Sequence, residues 1–336
     1  MKKKLYLVFL LGTAFVLGKP SFAAPSKTYV KTRVVLTEGG NRLLRRSIET
    51  TLTIIIQEIN KKAAGVGSLE TIRQYCTEGG FLSIRDLAEY DRIYSIMPEF
   101  RAKLLNTIPG YFEVRDIKVN LGTRSGKVIF EYLVFTLDSN GMIVDLDYAL
   151  EQHQYEDIIQ FGKNVSDESQ RRLILKFIER YRTAYNRKDL SYLEKVFSDH
   201  ALIIVGIGVQ ESKQSGDFFT EHTLLGPQEV KLIIKSKREY LDALRERVFR
   251  RNRWINVKFA KIEVIQHDSI PDIYGAMIIQ EWTAELYNDK GYLFLLFDFQ
   301  NKAQPIIHVR AWQSRSFDDG SYMGLYDFKF ARGNNH

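Results

Sequence analysis

Cysteine is nearly absent from this chain of 336 residues: Cys76 is the only one. A single thiol excludes a disulfide within the chain, so stability must come from core burial, for which the length is sufficient. Cys76 reads as a small buried apolar residue; the functional alternatives are a nucleophile or an intermolecular bridge. No His/Cys spacing suits a metal, and no cofactor is expected. Gly206-Ile207-Gly208 lacks the third glycine and the helix of a dinucleotide fingerprint. Phosphate loops and serine-hydrolase elbows are missing too. The apolar run at 5–17 falls short of the roughly 20 residues that span a bilayer comfortably.

That short run has a different meaning. Lys2, Lys3 and Lys4 precede it, and Ser21-Phe22-Ala23 follows, with small residues at the spacing a signal peptidase reads. Residues 1–23 are therefore expected to be a signal peptide, cut near Ala23 or Ala24, and the protein to be exported, periplasmic or secreted. No cysteine follows the run, which argues against a lipoprotein anchor. Cleavage would remove Lys2, Lys3, Lys4 and Lys19 but no acid, lowering the formal charge from +7 to +3. Global basicity then gives little support to a nucleic-acid partner, and no membrane span remains. Asn164-Val165-Ser166 is a glycosylation triplet that matters only where glycans are added.

Residues 24–165 read as an α+β domain. A strand at 28–36 ends at Gly39-Gly40, and Leu44, Ile48, Leu52, Ile55 and Ile59 form one helical stripe. Helical segments are expected at 69–77 and 84–105, with breaks at Gly79-Gly80 and Pro98. Strands at 112–121, 127–137 and 142–150 follow, and Asp138-Ser139-Asn140-Gly141 is a hairpin signal. The polar stretch 152–166 reads as a junction.

Residues 166–316 read as a second domain and 317–336 as a tail. Asp167 and Glu168 open a helix whose stripe is Ile174, Phe177, Ile178, Tyr181 and Tyr185. Asp189 can cap a short helix running to Phe197. A strand at 201–205, a loop-like insertion at 206–227 and a helix from 229 to about 250 come next. Four strands are expected at 255–265, 274–286, 292–299 and 305–313, with turns at Asn288-Asp289-Lys290-Gly291 and Asn301-Lys302-Ala303-Gln304. Both halves thus run from helix to antiparallel meander, which allows the first to be a diverged copy of the second.

The stretch Phe177-Ile178-Glu179-Arg180-Tyr181-Arg182-Thr183-Ala184-Tyr185-Asn186-Arg187-Lys188-Asp189-Leu190, continuing to Ala201, resembles the opening of the nuclear transport factor 2-like superfamily, with its SnoaL-like proteins and ketosteroid isomerases. The strands around Gly291-Tyr292-Leu293-Phe294 and His308-Val309-Arg310-Ala311-Trp312-Gln313 suit that family's sheet. The resemblance spans roughly residues 166–316. It implies an α+β cone, a curved antiparallel sheet cradling helices. It implies no particular activity, since the superfamily holds isomerases, dehydratases, cyclases and non-catalytic modules.

An isomerase chemistry would need phenolic donors and a carboxylate base beside an apolar pocket. Tyr181, Tyr185 and Glu281 are the candidates. Asp298 falls opposite the apolar face of Leu293, Leu295, Phe297 and Phe299, which counts against it. On the last strand, alternation places His308, Arg310 and Trp312 on one face and Ile307, Val309 and Ala311 on the other. The first set is read as a ligand site, a homodimer interface or a solvated outer face. Arg245, Arg247, Arg250, Arg251 and Arg253 complement a helix C-terminus or form a surface for an anionic polymer or lipid headgroup. The expectation is an exported, non-catalytic domain binding a small apolar or anionic ligand or a protein partner. The alternative is a small-molecule isomerase or dehydratase using acid–base chemistry.

Overall fold

The computed structural model describes residues 29–124, 126–162, 164–208, 223–225 and 230–328. The signal-peptide pattern and most of the 206–227 insertion lie outside the described residues. The fold is α+β, with two curved, unclosed sheets and helices packed on them.

In the first half, Asn41 caps helix α1 (Arg42–Ala63) by accepting from the Leu44 N–H. The stripe Ile48, Leu52, Ile55 and Ile59 is buried as expected, in one core with the inward side chains of a five-stranded sheet. That sheet runs in chain order: β1 (Arg33–Glu38), β2 (Glu99–Ile108), β3 (Tyr111–Arg124), β4 (Lys127–Asp138) and β5 (Ile143–Tyr148). β1 and β2 are parallel, and the remaining pairs are antiparallel. The Asp138–Gly141 turn forms as expected. The Asp138 carboxylate accepts from Asn140 and Met142, and Gly141 takes a positive φ of 80°.

Three expectations for this half change. The helix expected at 84–105 ends early: α2 (Glu78–Asp86) passes into one π turn, Leu87–Asp91, and the chain is a strand from Glu99. Phe100, Ala102 and Leu104 are buried while Arg101 and Lys103 are exposed, so a period of two governs this stretch. Gly79-Gly80 lies in the first turn of α2 instead of breaking it. A β-carbon on Gly80 would sit 2.1 Å from the Ile143 carbonyl oxygen, so only glycine permits this helix–strand approach. The polar junction contains a helix, α3 (Gln152–Phe161), which buries Tyr155 and Ile159.

In the second half, Asp167 caps α4 (Glu168–Asn186) and Asp189 caps α5 (Leu190–Val196), both as expected. The strands are β6 (Phe197–Gly208), β7 (Thr223–Leu225), β8 (Val230–Lys235), β9 (Ile255–Gln266), β10 (Ile273–Ala284), β11 (Asn288–Asp298) and β12 (Ile306–Gln313). Their order is β7-β8-β6-β12-β11-β10-β9, and only β6 and β12 are parallel neighbours. The helix expected from 229 starts late. Residues 230–235 pair with β6, and α6 (Lys237–Ala243) begins at a capping box between Ser236 and Glu239 before a π turn, Leu244–Phe249. The turn expected at 288–291 lies inside β11. The chain reverses at Glu285–Tyr287, and Glu281 pairs across the strands with Lys290 at 2.6 Å. Residues 317–328 cover the outer face of this sheet: Met323 and Leu325 pack with Phe294, Leu296 and Val309.

Helix α4 serves both halves. One side enters the concave face of the second sheet, with the Phe177 ring 5.7 Å from those of Phe297 and Phe299. Tyr181 packs against Phe197 and Phe259. The other side carries charge onto the first half. Glu179 accepts from Arg115 at 3.1 Å, Arg182 donates to Glu131 at 2.5 Å, and Arg180 lies between Asp145 and Asp147. Beyond its C-terminus, Arg187 reaches Asp86 at 2.7 Å. The periodicity of α4 is thus a stripe on one side and an ion-pair seam on the other. Among the described residues, no helix is long and apolar enough to cross a membrane.

Candidate functional site

The concave face of the second sheet gathers its polar groups from four elements. The α4 stripe repeats Tyr181 and Tyr185 four residues apart, so both phenols leave the helix on the side that faces the sheet. Their hydroxyls lie 2.7 Å apart, and Tyr185 meets the Tyr240 hydroxyl of α6 at the same distance. Burial raises the pKa of all three phenols and holds them protonated. From β12, the Arg310 guanidinium lies 5.1 Å from the Tyr240 ring centre. Arg310 is 5% exposed, and the groups that act on its charge are these three tyrosines.

Buried polar groups are normally paired. Arg310 Nε and the indole N–H groups of Trp312 and Trp282 are buried without a hydrogen-bond partner. Trp312 neighbours Arg310 on the concave side of β12, and Trp282 of β10 packs its ring edge against Tyr185. Gly291 makes room for the Trp312 indole, since a β-carbon there would lie 2.7 Å from Cζ2. Among the described residues, no carboxylate forms an ion pair with Arg310. The arrangement can hold an anion, and among the described residues no carboxylate hydrogen-bonds to the three phenols.

The sequence candidates therefore separate. Tyr181, Tyr185, Arg310 and Trp312 meet on one concave face, and Tyr240 and Trp282 join them. Those two were hidden from sequence reasoning, because Tyr240 lay in an overlong helix and Trp282 in an ordinary strand. Glu281 points to the opposite face from Trp282, is about half exposed and binds Lys290. His308 also departs from its expected face. A bulge between the Leu296–Val309 and Phe297–Ile307 pairs makes it the extra residue. Ile307 consequently packs on the concave side with Trp312, while Val309 and Ala311 pack outside. The His308 imidazole faces Asp298 at 3.9 Å, and burial lowers its pKa despite that carboxylate. Among the described residues no cluster of His, Cys, Asp and Glu is arranged to hold a metal ion. Cys76 is buried and its thiol pKa is pushed up to about 12 by desolvation, so it is a poor nucleophile at neutral pH.

No family model matches this chain, and no curated protein matches it. Solved structures give distant likenesses. One is Bd1075 of Bdellovibrio bacteriovorus, with TM-score 0.32 and 10% identity over 65% of this chain and 83% of that one. An NTF2-like protein from Cytophaga hutchinsonii has TM-score 0.28 and 12% identity over 43% and 98%. An NTF2-like protein involved in plasmid conjugation has TM-score 0.24 and 9% identity over 73% and 86%. At such scores the functional reading rests on this chain's own residues.

Proposed function

We propose that this is an exported binding protein of nuclear transport factor 2-like architecture, and that it is not an enzyme. Its concave site takes a compact ligand with an apolar body and one anionic group, such as a carboxylate. One observation carries the reading: Arg310 is buried in a cage of tyrosines with Nε unpaired and, among the described residues, no carboxylate beside it. The Tyr181 and Tyr240 phenols hydrogen-bond the guanidinium but carry no charge, so the buried cation lacks a counter-ion, and a fork of N–H donors matches a carboxylate. An anion from outside would neutralise the charge and give the Trp312 indole an acceptor, while the surrounding rings would cover its apolar part. Entry requires the Tyr240 ring to move aside on the short helix α6.

The test is a thermal-shift screen of aliphatic and aromatic carboxylates against their uncharged amides, in the wild type and Arg310→Met. At a hundredfold excess over Kd, a ligand of the native state should add about 2.7 kcal/mol. Stabilisation by carboxylates alone, lost in a folded Arg310→Met variant, is the expected result. No carboxylate response in the wild type, with Arg310→Met strongly destabilised, would make Arg310 a structural residue and end the proposal.

A further inference from the structure

The hairpin between β10 and β11 ends in apolar side chains that the fold does not cover. Leu286 is 70% exposed and Tyr287 49%. The tip is nevertheless held in place. The Ala284 N–H donates to the Tyr287 carbonyl at 2.7 Å, and the Leu286 N–H donates to Asn252 Oδ1 at 2.9 Å. Asn252 belongs to the arginine-rich stretch after α6. Lys188 Nζ donates to the Phe249 carbonyl at 3.0 Å, so a lysine already serves the C-terminal end of that helical run. The arginines are thus not needed as its only caps. Arg250 pairs with Glu246 and Arg253 with Glu285, whereas Arg251 is exposed and has no ion pair among the described residues.

We propose that this tip and its arginine collar dock the protein on an anionic lipid bilayer. Leu286 and Tyr287 enter the interfacial layer, and Arg251 meets the headgroup charges, flanked by Arg250 and Arg253, whose charges are shared with Glu246 and Glu285. The surface combines the two contributions that give peripheral membrane binding: exposed apolar side chains and adjacent cations. Tyrosine suits such an interface, having an apolar ring and a polar end. A nucleic acid would use the arginines but would leave Leu286 in water. This site is separate from the Arg310 cage, so the two proposals stand or fall independently.

A fluorescent reporter at the tip tests this in the full chain. Asn288 is exposed beside Tyr287, and the only native thiol, Cys76, is buried. The Asn288→Cys protein is therefore labelled with an environment-sensitive dye and titrated with vesicles of phosphatidylcholine alone or with phosphatidylglycerol. Adsorption through the apolar run at 5–17 would bring the chain to both vesicle types but leave the dye in water. Emission should rise and shift to the blue on anionic vesicles only. Arg251→Ala should weaken this response about fivefold and Leu286→Asp more than tenfold, with circular dichroism unchanged. A silent dye, equal responses on both vesicle types, responses unchanged in both variants, or a response to duplex DNA without one to vesicles would overturn the proposal.

Discussion

Phe177 ties the α4 stripe to the second sheet through its contacts with Phe297 and Phe299. Removing a buried ring leaves a cavity, so Phe177→Ala should cost roughly 3–5 kcal/mol, read as a lower urea midpoint. Asp147 makes a prediction of a different sign. Burial, reinforced by the Asp145 charge and opposed by Arg180 and Arg187, raises its pKa to about 7. A carboxyl whose pKa is raised by folding binds its proton more tightly in the folded state. Its contribution is therefore fully present below about pH 4 and is lost as the pH rises to about 7. Asp147→Asn should flatten the fall in stability across that window, measured by urea unfolding at pH 4 to 8. An unaltered pH profile would place the titration elsewhere.

Among the elements, α1, α4 and α5 and much of both meanders were legible because an apolar stripe or a regular alternation coincided with a cap or a turn. Asn41, Asp167 and Asp189 all cap the helices they precede. Short segments were not legible where tertiary contacts outweigh local pattern. Gly80 opens α2 because the Ile143 carbonyl crowds it, and residues 230–235 form a strand because β6 is there to pair with them. The site was half legible. Arg310 and Trp312 were found by alternation, but the bulge that turns His308 away is a register shift that alternation does not reveal. Gly291 shows the same dependence on context: its local sequence suggests a turn, while its position accommodates the Trp312 indole. Gly291→Ala should therefore cost about 1–3 kcal/mol through overpacking and alter tryptophan fluorescence. The added β-carbon would also lie 2.3 Å from the Gln313 carbonyl oxygen, so unchanged stability and emission would mean that both the indole and the β12 backbone give way.

On the scale of the whole molecule, α4 is a common support. Its stripe completes one core, and Glu179, Arg180 and Arg182 bind the first half through ion pairs that are mostly buried. Removing one partner of such a pair leaves the other charge uncompensated. Arg115→Ala should thus cost about 3–5 kcal/mol by stranding Glu179, which has no other ion-pair partner among the described residues. A loss well under 1 kcal/mol in the urea midpoint would show that the seam contributes little. The concave site depends on this support, because Tyr181 and Tyr185 project from the same helix that the seam holds.

The measurement that tests the central claim most directly is a crystal structure of the protein with a brominated carboxylate selected by the thermal-shift screen. The account predicts the carboxylate on Arg310 Nε, next to the Trp312 indole N–H, with the anomalous bromine signal inside the concave face of the second sheet. A bromine signal elsewhere, with Arg310 still enclosed by Tyr181, Tyr185 and Tyr240, would contradict it.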